Sequence, residues 1–179
     1  MPIQAEHRQW RRRVFASTWL AYAGFYFCRK PFFLLKKELE LNFGWDANTL
    51  GQLGAIYLFA YAAGGFLAGW AGDRYGARLT LLVGMSVSIF ANLVFGFTDN
   101  IGTFGAFLII NGLAQGTGWA NTVGTMANWF RREERGTVMG FWATNYQVGG
   151  ALATAMAAWV VGRDIGFQWS FIAGSFVLF

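Results

Sequence analysis

Four stretches of the chain carry no charged residue: Ala47–Gly72, Leu79–Thr98, Asn100–Phe130 and Gly136–Gly162, of 26, 20, 31 and 27 residues. About 20 apolar residues rising ~1.5 Å each cross the ~30 Å hydrocarbon core of a bilayer, so every stretch predicts a transmembrane helix. A fifth apolar run, Val14–Cys28, continues past Arg29 and Lys30 to Leu35, and a sixth, Ile165–Phe179, stops with the chain. The pattern therefore predicts an all-α membrane protein of six spans: Val14–Leu35, Thr49–Ala71, Leu79–Phe97, Thr103–Phe130, Gly136–Val161 and a last one from near Phe167. The runs are continuously apolar and lack the two-residue alternation of outer-membrane barrel strands. Residues 1–13 read as an N-terminal tail and 14–179 as one bundle. The sixth span has no polar flank to anchor it at an interface, so we expect it to be truncated and the chain to be a fragment of a longer protein.

Composition agrees with this: 55% of residues are hydrophobic, 19% aromatic and 13% charged, about half the ~25% charged share of soluble domains. Nine of the fourteen Lys and Arg residues fall on the side holding the N-terminus and the 2–3 and 4–5 connections, against Lys36, Lys37 and Arg163 opposite. The positive-inside rule then sets the N-terminus in the cytoplasm. Because these charges flank apolar spans, the net charge of +5 is explained by topology and implies no nucleic-acid partner. Trp10, Trp19, Trp45, Trp129 and Trp169 lie near span ends, where amphipathic rings sit well in the interface. The pairs Gly65/Gly69, Ala68/Gly72, Gly112/Gly116 and Gly149/Ala153 have the four-residue spacing that lets membrane helices approach closely. The single cysteine, Cys28, excludes an internal disulfide.

Arg29 and Lys30 are the costly positions. They lie some fifteen residues into the first span, where a charge costs at least ~2.5–3.5 kcal/mol on insertion scales and should face a protein-lined or aqueous interior. No carboxylate falls inside a span to neutralise them. The missing counter-charge is then an anionic ligand, and the planar guanidinium fork of Arg29 suits phosphate oxygens. The blander alternative is that Lys30 snorkels outward with Lys36 and Lys37 while Arg29 is satisfied by backbone carbonyls. Tyr22, Tyr26, Arg29 and Phe33 share one face at helical spacing. The fourth span has a polar stripe of Asn111, Gln115, Gly118, Thr122 and Thr125, and the fifth clusters Thr144, Asn145, Tyr146 and Gln147. These faces should point inward, by ligand binding or by helix–helix hydrogen bonding. We expect Arg29, Gln115 and Asn145 or Tyr146 on one open surface, with Tyr57 and Tyr61 as weaker candidates and the third span on the lipid-facing side. No phosphate-cradling loop, metal cluster or nucleophile constellation is evident, so neither an enzyme, a cofactor, a metal nor a catalytic residue is expected.

The 2–3 connection, Gly69-Trp-Ala-Gly72-Asp73-Arg74-Tyr-Gly76-Ala-Arg78, matches the G-x-x-x-D-R-x-G-x-R pattern of the major facilitator superfamily. Gly162-Arg163-Asp164-Ile165-Gly166 echoes it between spans 5 and 6, where an inverted three-plus-three repeat would put it. Within the superfamily, Tyr26-Phe-Cys-Arg29-Lys30-Pro-Phe, Asn111-Gly-Leu-Ala-Gln115-Gly-Thr-Gly118-Trp119, Trp129-Phe-x-x-x-Glu134-Arg135-Gly136 and Val148-Gly149-Gly150 resemble the organophosphate:phosphate antiporters, that is, glycerol-3-phosphate and hexose-phosphate transporters and their sensor relatives.

The resemblance implies the N-terminal six-helix half of such a transporter in the inner or plasma membrane. It implies an organic anion or inorganic phosphate as substrate, Arg29 as a phosphate ligand and a second arginine in the missing C-terminal half. The expected substrate-binding set is Arg29, Lys30, Tyr22, Tyr26, Tyr61, Gln115, Trp119, Asn145 and Tyr146, and the gating loop is Gly69, Asp73, Arg74, Gly76 and Arg78. Alternatives are a membrane sensor of sugar phosphates with the same fold and a facilitator for a non-phosphorylated organic anion. The chain departs from the family pattern at Gly65, where a lysine is common, at Tyr146-Gln147, where a histidine precedes the Val-Gly-Gly, and at Ala120-Asn121, which replace two prolines.

Overall fold

The computed structural model describes residues 2–179, all of whose long elements are helices. The first crossing is assembled from α1 (Pro2–Phe25), a 3₁₀ turn (Tyr26–Cys28) and α2 (Lys30–Leu34), followed by α3 (Lys36–Phe43). The uninterrupted helix expected over Val14–Leu35 is thus corrected. Pro31 has no N–H to give and its ring crowds the preceding turn, so the helix cannot run through it; Pro31 instead opens α2. The expected tail is also helical, since α1 starts at Pro2; Met1 lies outside the described residues.

The second and third crossings are α4 (Ala47–Tyr75) and α5 (Ala77–Phe97), both long and apolar enough to span a bilayer. Asp46 caps α4 by accepting from the Thr49 N–H at 2.6 Å, which holds its carboxyl below the ordinary value of 3.8. Gly76 alone joins α4 to α5 with φ +91°, a backbone conformation that a side chain would strain. The fourth crossing, α6 (Ile101–Trp129), has the length, at 29 residues, but its polar stripe dilutes its apolarity. Arg135 closes its C-terminus by donating to the Ala127 and Phe130 carbonyls at 2.6 and 3.2 Å. The fifth crossing is another correction, because α7 (Arg135–Trp142) and α8 (Thr144–Val161) are separated at Ala143. The Thr144 hydroxyl bonds back to the Phe141 carbonyl at 2.8 Å and receives the Trp19 indole N–H at 3.1 Å, and such back-bonding bends helices. The turn before α9 (Trp169–Leu178) holds Asp164 and Gly166 at positive φ.

Small residues bring the crossings together. Gly112 and Gly116 lie against the α4 backbone at Tyr57 and Gly64, Gly64 against Leu113, Gly149 against Ala23, and Gly174 against Phe27. Gly65 and Gly69, by contrast, face open space. So α6 packs on α4, α5 and α1, while α8 and α9 close on the broken segment of the first crossing. One end of the bundle is filled by Phe32, Leu39, Phe95, Phe104 and Phe171. Trp45 belongs there too, its ring 5.1 Å from that of Phe104; the expected interfacial anchor is a buried core residue. The other end is filled by Tyr22, Met126, Phe130 and Trp142, with the Trp142 indole donating to Thr18 at 3.0 Å.

Candidate functional site

The break in the first crossing determines where its charges go. Arg29 leaves the backbone between the 3₁₀ turn and α2 and turns toward α4 and α6. Its guanidinium carbon lies 4.6 Å from the Tyr61 ring centroid and 4.9 Å from that of Tyr26, distances at which a cation is attracted to a ring face. Tyr22 and Tyr57 complete the surrounding set. Nε donates to the Gln115 side-chain oxygen at 3.1 Å, whereas the buried Nη2 has no partner. The Tyr57 hydroxyl is likewise buried without a partner. Among the described residues, no carboxylate pairs with Arg29.

Lys30 emerges on the other side. It lines a recess of about 630 Å³ with Tyr26, Tyr146, Gln147, Gly150 and Thr154, and its Cε would lie 3.5 Å from a Cβ at Gly150. Trp119 on α6 is 45% exposed and meets Tyr22 edge-on at 5.7 Å. Tyr22 also contacts Tyr26 at 5.9 Å, so an aromatic wall runs from Trp119 up to Arg29.

The expected common surface is therefore divided in two. Lys30, Tyr26, Tyr61, Trp119 and Tyr146 have exposed area, but Gln115 and Asn145 are fully buried and Tyr22 nearly so. Of Arg29, Gln115 and Asn145 or Tyr146, expected on one open surface, Arg29 is partly exposed and Tyr146 exposed, but Gln115 is buried, a correction: its amide is drawn into the bundle, where the Phe25 carbonyl beside the helix break takes a donor. Gln115 stands behind Arg29, donating to the Phe25 carbonyl at 3.2 Å and to the Ser88 hydroxyl at 2.8 Å. Asn145 is buried beside the α7–α8 break with neither amide atom bonded.

Ser88 and Asn92 on α5 escaped the sequence reading. The third crossing does expose Leu82, Val83, Phe90 and Phe97, yet these two polar residues are fully buried. Their signal was a polar pair four residues apart in an otherwise apolar span.

Asp73, Arg74, Gly76 and Arg78 are exposed, and among the described residues Asp73 forms no ion pair. Arg74 lies 5.8 Å over Tyr75. Instead, Glu134 receives a bond from Arg11 and another, at 2.9 Å, from the Arg131 N–H. The hydrogen bond from Arg11, then that from Arg131, holds the Glu134 carboxyl below its ordinary 4.5.

Residues 14–179 match the sequence profile of the Major Facilitator Superfamily. The chain belongs to that superfamily. Its six-crossing arrangement is likewise similar to an inward-open structure of the xylose transporter XylE from Escherichia coli, with a TM-score of 0.73, 17% identity, and coverage of 92% of this chain and 45% of the other. The chain is thus an integral membrane protein with the six-helix half of the major facilitator fold. A protein of Chlamydia trachomatis named a probable hexose phosphate transport protein is 33% identical over 150 residues, covering 84% of this chain and 33% of the relative. The membrane sensor protein UhpC of Escherichia coli is 30% identical over 182 residues, covering 98% of this chain and 42% of the relative. The chain spans less than half the length of either relative.

Proposed function

We propose that the full protein exchanges an organophosphate for inorganic phosphate by alternating access, the two halves rocking about a site near the membrane midplane. The observation that carries this reading is Arg29: a guanidinium deep in a span, held by Gln115, ringed by tyrosines, with Nη2 unpartnered and no carboxylate beside it among the described residues. A part-buried cation without a counter-ion is stabilised when a doubly charged phosphoryl group arrives, and the fork geometry favours that group over a simple halide.

In this reading Lys30 adds a second charge from the adjoining recess. Tyr26, Tyr61 and Tyr146 offer hydroxyls to the organic part, Trp119 and Tyr22 form its apolar wall, and Gln115 and Asn145 support from behind. The loop of Gly69, Asp73, Arg74, Gly76 and Arg78 acts on the switch between states. The N-terminus is cytoplasmic and the membrane is the inner or plasma membrane. The missing C-terminal half supplies the opposite wall, and no metal or cofactor is required.

The similarity to a hexose phosphate transport protein supports an organophosphate as the substrate class. A second reading, a sensor of sugar phosphates, is favoured by the nearly complete coverage of this chain by UhpC. Full-length protein in phosphate-loaded proteoliposomes separates them: efflux of labelled phosphate driven by external hexose phosphate marks the antiporter, whereas saturable binding without flux marks the sensor.

A further inference from the structure

The break in the first crossing is held by side chains from two other helices. The Cys28 carbonyl, immediately before Arg29, accepts from Asn92 of α5 at 3.0 Å and from Asn111 of α6 at 3.1 Å. Asn92 also donates to the Ser88 carbonyl at 3.0 Å, and the Ser88 hydroxyl donates to the Asn111 oxygen at 2.5 Å. Through the bond from Gln115 to Ser88, this cluster joins the amide that holds Arg29 Nε. Asn92, Asn111, Ser88 and Gln115 are all at most 2% exposed.

Four buried polar side chains in an apolar bundle are costly unless they satisfy groups that would otherwise be orphaned. Here they converge on Phe25, immediately before the 3₁₀ turn, and on Cys28, its last residue, so they act where the chain changes direction before Arg29. General adhesion between helices would not require two helices to share one acceptor. Asn121, one α6 amide that does serve adhesion, bonds Ala68 and its own helix at Thr117, away from the break.

We propose that Asn92 and Asn111 are positioning residues: by jointly holding the Cys28 carbonyl they fix the direction in which Arg29 leaves the backbone, and so set the affinity of the site for phosphate. This rests on the reading of Arg29 as the anion ligand. Neither asparagine touches the ligand. Because they share one acceptor, either alone retains part of the constraint, and losing both releases it.

The test is calorimetric titration of inorganic phosphate into the full-length protein in nanodiscs, with melting temperature measured in parallel. Asn92→Ala and Asn111→Ala should each weaken phosphate binding about threefold, and the pair together more than about thirtyfold, a loss larger than the product of the singles. Asn121→Ala should lower the melting temperature while leaving the affinity within about twofold. If the double variant does not fold, the singles decide: affinity losses no greater than that of Asn121→Ala overturn the inference. A folded double variant with wild-type affinity also overturns it, provided Arg29→Lys abolishes binding, and in that case the function proposed above survives. Absence of phosphate binding by the wild-type protein overturns both.

Discussion

Gln115 on α6 accepts a hydrogen bond from Arg29 Nε at 3.1 Å and, through its amide nitrogen, donates to the Phe25 carbonyl at 3.2 Å, so one side chain ties the charge to the backbone it grows from. Replacing Gln115 by Leu removes these two bonds and the one to the Ser88 hydroxyl, and leaves buried polar groups unpaired, at about 1–3 kcal/mol for each orphaned group. We expect a lower melting temperature and roughly tenfold or greater loss of phosphate affinity. Wild-type affinity in a folded Gln115→Leu protein would show that Arg29 is oriented by something else.

The two adjacent glycines of α4 should behave oppositely. A Cβ at Gly64 would overlap the Leu113 backbone, whereas at Gly65 it meets nothing within 4 Å. Gly64→Ala should therefore destabilise by about 1–3 kcal/mol through overpacking, and Gly65→Ala should be neutral or stabilising by up to about 1 kcal/mol through helix propensity. Thermal melts of the two variants in detergent check the pair. Equal effects would mean that α4 and α6 do not approach here as described.

At the other end, Glu134 links Arg11 of α1 to the turn after α6. Its carboxyl is held below the ordinary value of 4.5 by Arg11 and then by the Arg131 N–H. A lowered folded pKa means that this contribution is fully present above the unfolded value and is lost as pH falls through the folded one. Melting temperature should thus drop on acidification below about pH 4.5, and Glu134→Gln should remove part of that dependence. An unchanged acid limb in Glu134→Gln assigns the dependence to other carboxylates.

Asp73 is exposed and lies at the far end of α4 from the broken segment. Because its effect is on the balance between states and not on the site, Asp73→Asn should slow exchange by tenfold or so while phosphate affinity stays within about twofold. Loss of affinity at unchanged turnover contradicts this assignment.

Much of this arrangement is legible in the sequence. Charge-free runs locate the crossings, and Arg29 is conspicuous as a charge without a carboxylate in any span. The break beside it was not anticipated, although Pro31 announces it, because hydropathy reads through a proline. The α7–α8 break has a weaker cause, a threonine bonded back to Phe141 and pinned by Trp19, and the second contact joins residues 125 apart in the chain. Ser88 and Asn92 were passed over because two small polar residues barely alter the apolarity of a 21-residue helix. Their role depends on the Cys28 carbonyl, 64 residues before Asn92 in the chain and at a break that hydropathy does not show.

The account rests on Arg29, and phosphate exchange in proteoliposomes made from the full-length protein with Arg29→Lys tests it most directly. An ammonium keeps the charge but loses both the Nε bond to Gln115 and the planar fork. We predict that the variant inserts and melts near the wild type but retains less than about a tenth of its exchange, the loss of one charge-assisted hydrogen bond sufficing for that factor. Exchange at the wild-type rate by a correctly inserted Arg29→Lys protein would contradict the account, since the Arg29 guanidinium would then not be the phosphate ligand.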